Sequence, residues 1–200
     1  MNRNLLQRRQ FLWYFGAGVV GASVATTAFR NLGRTHKTSM PTSINPPASV
    51  LAAVPPAGNP LPEFQGISQW LNSPPLTAAD LKGSVALVQI WTFSCINCQR
   101  TLPYITRWHR QYASHGLKVV GVHSPEFPFE REVNNIKTAL VQDGISYPVA
   151  VDNDFKTWNA YDNHYWPHLF LADRQGFIRY DHVGEGAYDE TEHTIRQLLG

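Results

Sequence analysis

Two cysteines three residues apart stand where an apolar run meets an amphipathic segment, and this junction constrains the fold more than any other feature of the sequence. Cys95 and Cys98 are the chain's two cysteines, and they closely follow the almost continuous apolar run of residues 84–91, which has the length of a buried strand. Beyond them, apolar residues recur at helical spacing, at Leu102, Ile105, Trp108 and Tyr112. The sequence therefore predicts that a C-x-x-C motif opens a helix directly after a buried strand.

A C-x-x-C pair admits several kinds of site. His109 and His115 could complete a zinc site with the two cysteines, but zinc fingers carry their cysteines on a hairpin ahead of the helix rather than in its first turn. A structural disulfide across so short a loop barely constrains the unfolded chain. At a helix N-terminus, unpaired N–H groups lower the pKa of a thiol. We therefore predict a reversible dithiol in which Cys95 is the nucleophile and Cys98 the resolving cysteine.

The rest of the chain alternates strands with helices. Apolar runs predict strands at 117–124 and 147–152 and a hairpin at 168–173 and 177–184. A second set of spacings predicts an amphipathic helix through Phe129, Val133, Ile136 and Leu140 ending near Gly144, a short helix around 155–161 and a final helix over 189–199. This order predicts an α/β domain with a mixed central sheet flanked by helices.

Three stretches resemble the thioredoxin superfamily: WTFSCINCQRTLPY (91–104), GVHSPEFPFE (121–130) and YWPHLFLAD (165–173). From about residue 61 to 199 the chain looks like the extracytoplasmic TlpA/ResA-like thiol-disulfide oxidoreductases, and within them it is most similar to the thioredoxin-like domain of DipZ-type membrane proteins. The resemblance implies a thioredoxin fold with a TlpA-like helix–strand insert, whose dithiol exchanges disulfides with protein substrates without a cofactor. It also implies a reductase supplied with electrons by a membrane donor.

The resemblance assigns further residues to the site. Pro167 stands where the family has a cis proline, and the backbone of Trp166 before it would pair with an extended segment of the substrate. The side chains of Trp91 and Trp166 are candidates for the rim of a substrate groove, with ordinary core packing as the alternative. These three residues are therefore expected to dock the substrate.

Two positions depart from the family pattern. Gln89 stands where thioredoxins carry a buried Asp, and Thr101 stands where TlpA/ResA-like proteins often carry a Glu. Neither side chain offers a carboxylate to take the proton of the resolving cysteine. Glu126, in the loop after the second predicted strand, and His123, at the end of that strand, are the candidates for proton transfer. A hydrogen-bonded role without catalysis is the alternative for each of them.

Two other functions stay open at this point. The motif TFSC (92–95) partly resembles the peroxide-reducing relatives of thioredoxin, which makes a thiol peroxidase one alternative. His164 and His168 lie close to Pro167 in the sequence and could form a copper site with the cysteines, as in SCO-type proteins, although those proteins space their cysteines one residue wider. Our main interpretation needs no metal.

Charged residues divide the chain into two parts. Residues 1–60 carry six Lys and Arg and no Asp or Glu, whereas residues 61–200 carry eleven basic and all fifteen acidic residues. The folded part is therefore mildly acidic, and its charge excludes a nucleic-acid-binding surface as the expected function.

The N-terminal segment is typical of an export signal. Paired arginines in RRQFL (8–12) resemble a twin-arginine signal, and the uncharged run 11–29 would form a helix of about 28 Å, near the thickness of a bilayer. We expect residues 1–33 to be a cleaved signal or an uncleaved anchor, with the run 11–29 as the chain's one membrane contact. Residues 34–62, in the part of the chain that holds seven of the 14 prolines, should be a linker. Residues 63–200 should form the thioredoxin-like domain, in a periplasm or lumen.

Overall fold

A computed structural model describes residues 58–200 of the chain. The predicted signal or anchor, and the predicted linker up to residue 57, lie outside the described residues. Within residues 58–200, no helix combines the length and the apolar character needed to cross a membrane.

Six strands and four α-helices make up the described domain. The strands are β1 (Gln69–Leu71), β2 (Val85–Trp91), β3 (Leu117–His123), β4 (Val149–Val151), β5 (His168–Ala172) and β6 (Ile178–Val183). The helices are α1 (Ile96–Tyr112), α2 (Val133–Gln142), α3 (Lys156–Ala160) and α4 (Tyr188–Leu199). All the strands predicted from the sequence are present, and α1 begins directly after Cys95, as predicted.

The strands form one mixed sheet in the order β1-β4-β3-β2-β5-β6. The central strand β2 runs parallel to β3 and antiparallel to β5. In this register Trp91 pairs with His123, and Ile90 pairs with His168. The carboxyl ends of β2 and β3 therefore meet the start of β5 at one edge of the sheet, where the segment carrying Cys95 leaves β2.

Both faces of β2 are covered, which explains why its sequence is apolar without alternation. One face packs against helices α1, α2 and α4 and includes Leu87, Trp91, Leu102, Ile105, Ile136 and Ile195. The opposite face packs mainly against α3 and the chain before β1 and includes Val88, Ile90, Trp158, Tyr161 and Phe170. The cysteine motif therefore follows the longest fully buried strand of the domain.

The predicted helix through Phe129 begins later than expected. Residues Pro128–Arg131 form a short 3-10 turn, and Glu132 has extended backbone (φ −74°, ψ 114°), so α2 begins only at Val133. Phe129 is half exposed rather than part of the apolar face of α2. The change of backbone at Glu132 separates two segments that share an apparent helical spacing. Strand β1, only three residues long, was not predicted.

Candidate active site

The two cysteines occupy the first turn of α1 but differ in exposure. Cys95 is the N-cap, with extended backbone (φ −71°, ψ 116°), and its Sγ accepts a hydrogen bond from the N–H of Cys98 at 3.4 Å. Cys95 is partly exposed, whereas Cys98 is fully buried. Both thiols are free in this structure. A reagent from solvent therefore reaches Cys95 first.

Their pKa values move in opposite directions. A hydrogen bond from the Cys98 thiol, with further bonds from the N–H groups of Cys98 and Asn97, lowers the pKa of Cys95 to about 6, despite partial burial. Burial raises the pKa of Cys98 far above its usual range, and its bond to Cys95 raises it further. At neutral pH, Cys95 is therefore a thiolate at the end of a helix and Cys98 a protonated thiol.

Pro167 lies at the same edge of the sheet. Its peptide bond with Trp166 is cis, as predicted, and β5 begins at the next residue. The indole N–H of Trp166 donates to the carbonyl of Ser124 at 2.9 Å, and its ring lies 4.3 Å from that of Trp158. Trp166 is thus anchored by its side chain and remains partly exposed.

The prediction that Trp91 borders a substrate groove is wrong. Its side chain is fully buried, and its indole packs so closely over Gly121 that a Cβ there would lie 2.8 Å from Nε1. Trp91 follows Leu87 by four residues, so both lie on the face of β2 that packs against the helices. Trp91 is a core residue, which was the alternative interpretation.

The two candidates for proton transfer occupy different surroundings. His123 is fully buried at the end of β3, where its Nε2 lies 3.3 Å from Oγ1 of Thr92 and its ring stacks on Phe93 at 5.5 Å. Burial lowers the pKa of His123 to about 4, so the imidazole is neutral at pH 7. Glu126 is exposed, and its negative charge acts on Cys95. Only Glu126 can exchange a proton directly with solvent.

A third acid, Glu130, was not singled out from the sequence. It is fully buried in the 3-10 turn before α2. Its Oε1 accepts the N–H (3.2 Å) and hydroxyl (2.5 Å) of Ser94, and its Oε2 accepts the N–H groups of Glu126 (2.6 Å) and Phe127 (2.8 Å). The side chain of Thr92 also helps to lower the pKa of this carboxyl group. Glu130 therefore ties the loop after β3 to the segment that carries the cysteines.

One sequence signal does point to Glu130. A Glu three residues after the residue that precedes a turn can bond back to that residue's N–H, as Glu130 does to Phe127. This pattern predicts a cap but not the burial of the carboxylate.

The two positions that depart from the family pattern are both buried. Neither the amide oxygen nor the amide nitrogen of Gln89 has a hydrogen-bond partner. The hydroxyl of Thr101 donates to the carbonyl of Asn97 at 2.9 Å, within α1. Neither residue supplies an ionisable group to the cysteines, so Glu130 and Glu126 are the acids whose charges act on them.

Both histidines that suggested copper have other partners, and Nε2 of His164 lies 3.5 Å from Oδ1 of Asp162. Nδ1 of His168 lies 2.6 Å from Oδ1 of Asn163, and its Nε2 lies 3.1 Å from Oδ2 of Asp181. With both ring nitrogens hydrogen-bonded, His168 has no lone pair free for a metal. Among residues 58–200, no group of three or more His, Cys, Asp and Glu side chains is arranged to hold a metal ion.

Comparison with known proteins agrees with this fold. The model of the Redoxin family matches residues 56–199, which is most of the chain. The chain belongs to the Redoxin family. It is 45% identical over 141 residues to the protein DipZ of Mycobacterium tuberculosis and of Mycobacterium bovis, covering 69% of this chain and 20% of DipZ. The chain thus spans about a fifth of the length of these relatives.

Two shorter relatives match over nearly their whole length. Thiol-disulfide oxidoreductase YkuV of Bacillus subtilis is 28% identical over 141 residues, covering 70% of this chain and 94% of YkuV. The solution structure of a thioredoxin-like protein in the oxidized form matches with a TM-score of 0.66 and 28% identity, covering 71% of this chain and 95% of that protein. The predicted thioredoxin-like α/β fold is confirmed, and so is the resemblance to the thioredoxin superfamily.

Proposed function

We propose that this protein is a thiol-disulfide oxidoreductase that exchanges disulfides with protein substrates through Cys95 and Cys98. The observation that carries the proposal is the asymmetry of the pair. The partly exposed sulfur of Cys95, with a pKa of about 6, lies one helical turn from the buried sulfur of Cys98, whose pKa is raised by burial. Attack by the first and resolution by the second follow from that arrangement. The names of relatives such as YkuV support the same chemistry.

The reaction proceeds in two exchanges. The thiolate of Cys95 attacks one sulfur of a substrate disulfide, so that a mixed disulfide forms, the substrate S–S bond breaks and the other substrate sulfur leaves as a thiolate. Cys98 then loses its proton and attacks the sulfur of Cys95, which releases the second substrate sulfur. The cysteine pair loses two electrons to the substrate. The proton released earlier by Cys95 and the one from Cys98 end on the two substrate thiols.

The substrate docks beside Pro167 and Trp166 in this proposal. The backbone before β5 would pair with an extended substrate segment, a small instance of strand addition. Exposed apolar side chains stand next to both halves of the site: Ile96 follows Cys95, and Tyr165 precedes Trp166. Apolar contacts of this kind favour an unfolded or extended protein segment over a small polar thiol.

We propose that this protein acts as a reductase and that it works outside the cytoplasm. The TlpA/ResA-like group is mostly reducing, and thioredoxin-like reductases in an oxidising compartment need electrons from a membrane partner. The segment 1–33 would export or anchor the domain, and residues 34–62 would tether it. Glu126, the exposed acid of the site, is the better candidate for returning protons to solvent; His123 is buried and neutral.

Trapping of a mixed disulfide tests the proposal. Reduced Cys98→Ser and Cys95→Ser variants are each incubated at pH 7 with a peptide that contains one disulfide, and adducts are followed by mass spectrometry. Cys98→Ser should form the adduct at least about 100-fold faster, because its remaining sulfur is ionised and exposed. The wild-type chain should instead reduce insulin with no lasting adduct. A faster adduct with Cys95→Ser would reverse the two roles, and no exchange by the wild type would refute the function.

A further inference from the structure

Glu130 is a buried charge at the redox site that the two exchanges described above do not use. Its negative charge acts on Cys98, where it raises the pKa of the thiol. Thr92 lies between the two groups, because its backbone lowers the pKa of Cys98 and its side chain lowers the pKa of Glu130. Ser94, one residue before Cys95, donates twice to the same carboxylate. Glu130 therefore contacts the segment that leads into the cysteine motif.

The hydrogen bonds of Glu130 make it an anion rather than a base. Its two oxygens accept four hydrogen bonds of 3.2 Å or shorter, two from Ser94 and one each from the N–H groups of Glu126 and Phe127. An ionised carboxylate has about four lone-pair sites, so all of its acceptor capacity is in use. Burial alone would raise the pKa of Glu130, but these bonds outweigh it and lower the pKa below its usual range. A proton from Cys98 would have to displace one of them.

The charged and titratable groups around Glu130 do not neutralise it. His123 has a pKa lowered to about 4 by burial and is neutral. Nε2 of His123 lies 3.3 Å from Oγ1 of Thr92, so this neutral ring is hydrogen-bonded to an uncharged group. The charges that act on Cys98 come from Cys95 and Glu130, and both are negative.

We propose that Glu130 is a positioning residue whose permanent negative charge makes the Cys95–Cys98 pair more reducing. Reduction of the disulfide takes up two electrons and two protons, and at neutral pH the thiol of Cys95 releases one of these protons to solvent. The reduced pair thus carries a negative charge that the disulfide lacks. A fixed anion beside it destabilises the reduced form selectively, and a destabilised reduced form means a lower reduction potential. This inference rests on the proposed function and supports its reducing direction.

The test is the reduction potential of the full chain, measured by equilibration with glutathione redox buffers at pH 7, alkylation of free thiols and mass spectrometry. Glu130→Gln removes the charge and keeps the size of the side chain. We expect its equilibrium constant to move about tenfold towards the reduced form, which is about 30 mV for a two-electron couple. Glu132→Gln is the matched control, because it makes the same change at an exposed position two residues away, and it should match the wild type.

A second variant separates charge from structure. Ser94→Ala removes one donor to the carboxylate but keeps its charge, which is then less compensated by hydrogen bonds. The reduction potential should fall, with the equilibrium constant moving about two- to threefold towards the oxidised form. Loosening of the site would move both variants in the same direction. If Glu130→Gln fails to fold, Ser94→Ala decides alone: an unchanged or higher potential overturns the inference.

The two proposals fail in different ways. If the wild-type cysteines exchange with glutathione but not with any protein disulfide, the proposed function is wrong. If the wild type reduces protein disulfides and Glu130→Gln has the potential of Glu132→Gln, the function stands and the role of Glu130 is refuted.

Discussion

Replacement of Cys98 should weaken Cys95 as a nucleophile, although Cys98 is buried. With a pKa of about 6, roughly nine-tenths of Cys95 is thiolate at pH 7, against about 3% for a free cysteine. The largest cause is the hydrogen bond from the Cys98 thiol. A hydrogen bond to a charged group contributes about 1.5–3 kcal/mol, and partial exposure of Cys95 reduces it to the lower end. Cys98→Ala should therefore raise the pKa of Cys95 by about one pH unit and leave about half of it ionised at pH 7.

Thiolate absorbance near 240 nm of the reduced protein, followed against pH, measures this change. Cys98→Ser is the matched control, because its hydroxyl can still donate to the sulfur and should keep the midpoint near that of the wild type. The lowered pKa also links to stability: the ionised Cys95 stabilises the reduced fold above the unfolded pKa of about 8.5, and this contribution is lost as the pH falls through about 6. Identical midpoints for Cys98→Ala and the wild type would refute this account of the activated thiol.

Two further predictions concern buried polar groups outside the redox chemistry. Gln89→Leu should raise the free energy of unfolding by about 1 kcal/mol, measured by urea denaturation, because neither amide atom of Gln89 is hydrogen-bonded; a lower value would mean that the amide has a partner in solution. Burial raises the pKa of Glu192, but bonds from Trp108, Tyr112 and Arg107 outweigh it and lower the pKa. Glu192→Gln should therefore lower the free energy of unfolding by about 1 kcal/mol at pH 7. This difference should disappear as the pH falls through the lowered pKa of the wild-type carboxyl, and a difference that stays constant with pH would contradict the reasoning.

The cysteine motif and its scaffold could be predicted because local and long-range signals agree there. An apolar run, a C-x-x-C and a helical repeat follow one another without a gap, and each fixes the place of the next. Trp91 shows what the same signals could have added. Side chains of a strand share a face every second residue, so Trp91 lies on the same face as Leu87, which packs against the helices. The period of the strand therefore already places Trp91 in the core.

The burial of Glu130 could not be predicted, because it depends on a loop whose backbone has no simple period. The helical spacing from Phe129 to Leu140 suggested one continuous helix. In the structure, the extended backbone of Glu132 divides this segment, and the 3-10 turn directs Glu130 inwards while Phe129 stays half exposed. In the sequence, Glu130 stands next to two further charged residues, Arg131 and Glu132, which is typical of a solvent-exposed segment. Its two hydrogen bonds from Ser94 form only when two segments far apart in the sequence are brought together.

The order of the two exchanges follows from the causes that raise the pKa of Cys98. In the reduced protein, burial, the bond to Cys95, the negative charge of Cys95 and the charge of Glu130 all raise its pKa. Once Cys95 is joined to a substrate, its sulfur is no longer charged, and two of these four causes disappear together. The pKa of Cys98 therefore falls when its thiolate is needed, and it is high beforehand, when an ionised Cys98 would repel Cys95. Burial and Glu130 remain in the mixed disulfide, so the charge that makes the pair more reducing also slows its resolution. A stronger negative field on the sulfurs would favour transfer of electrons to the substrate, but it would also keep the substrate bound for longer. The buried acid therefore sets a balance between the driving force of the reaction and its speed.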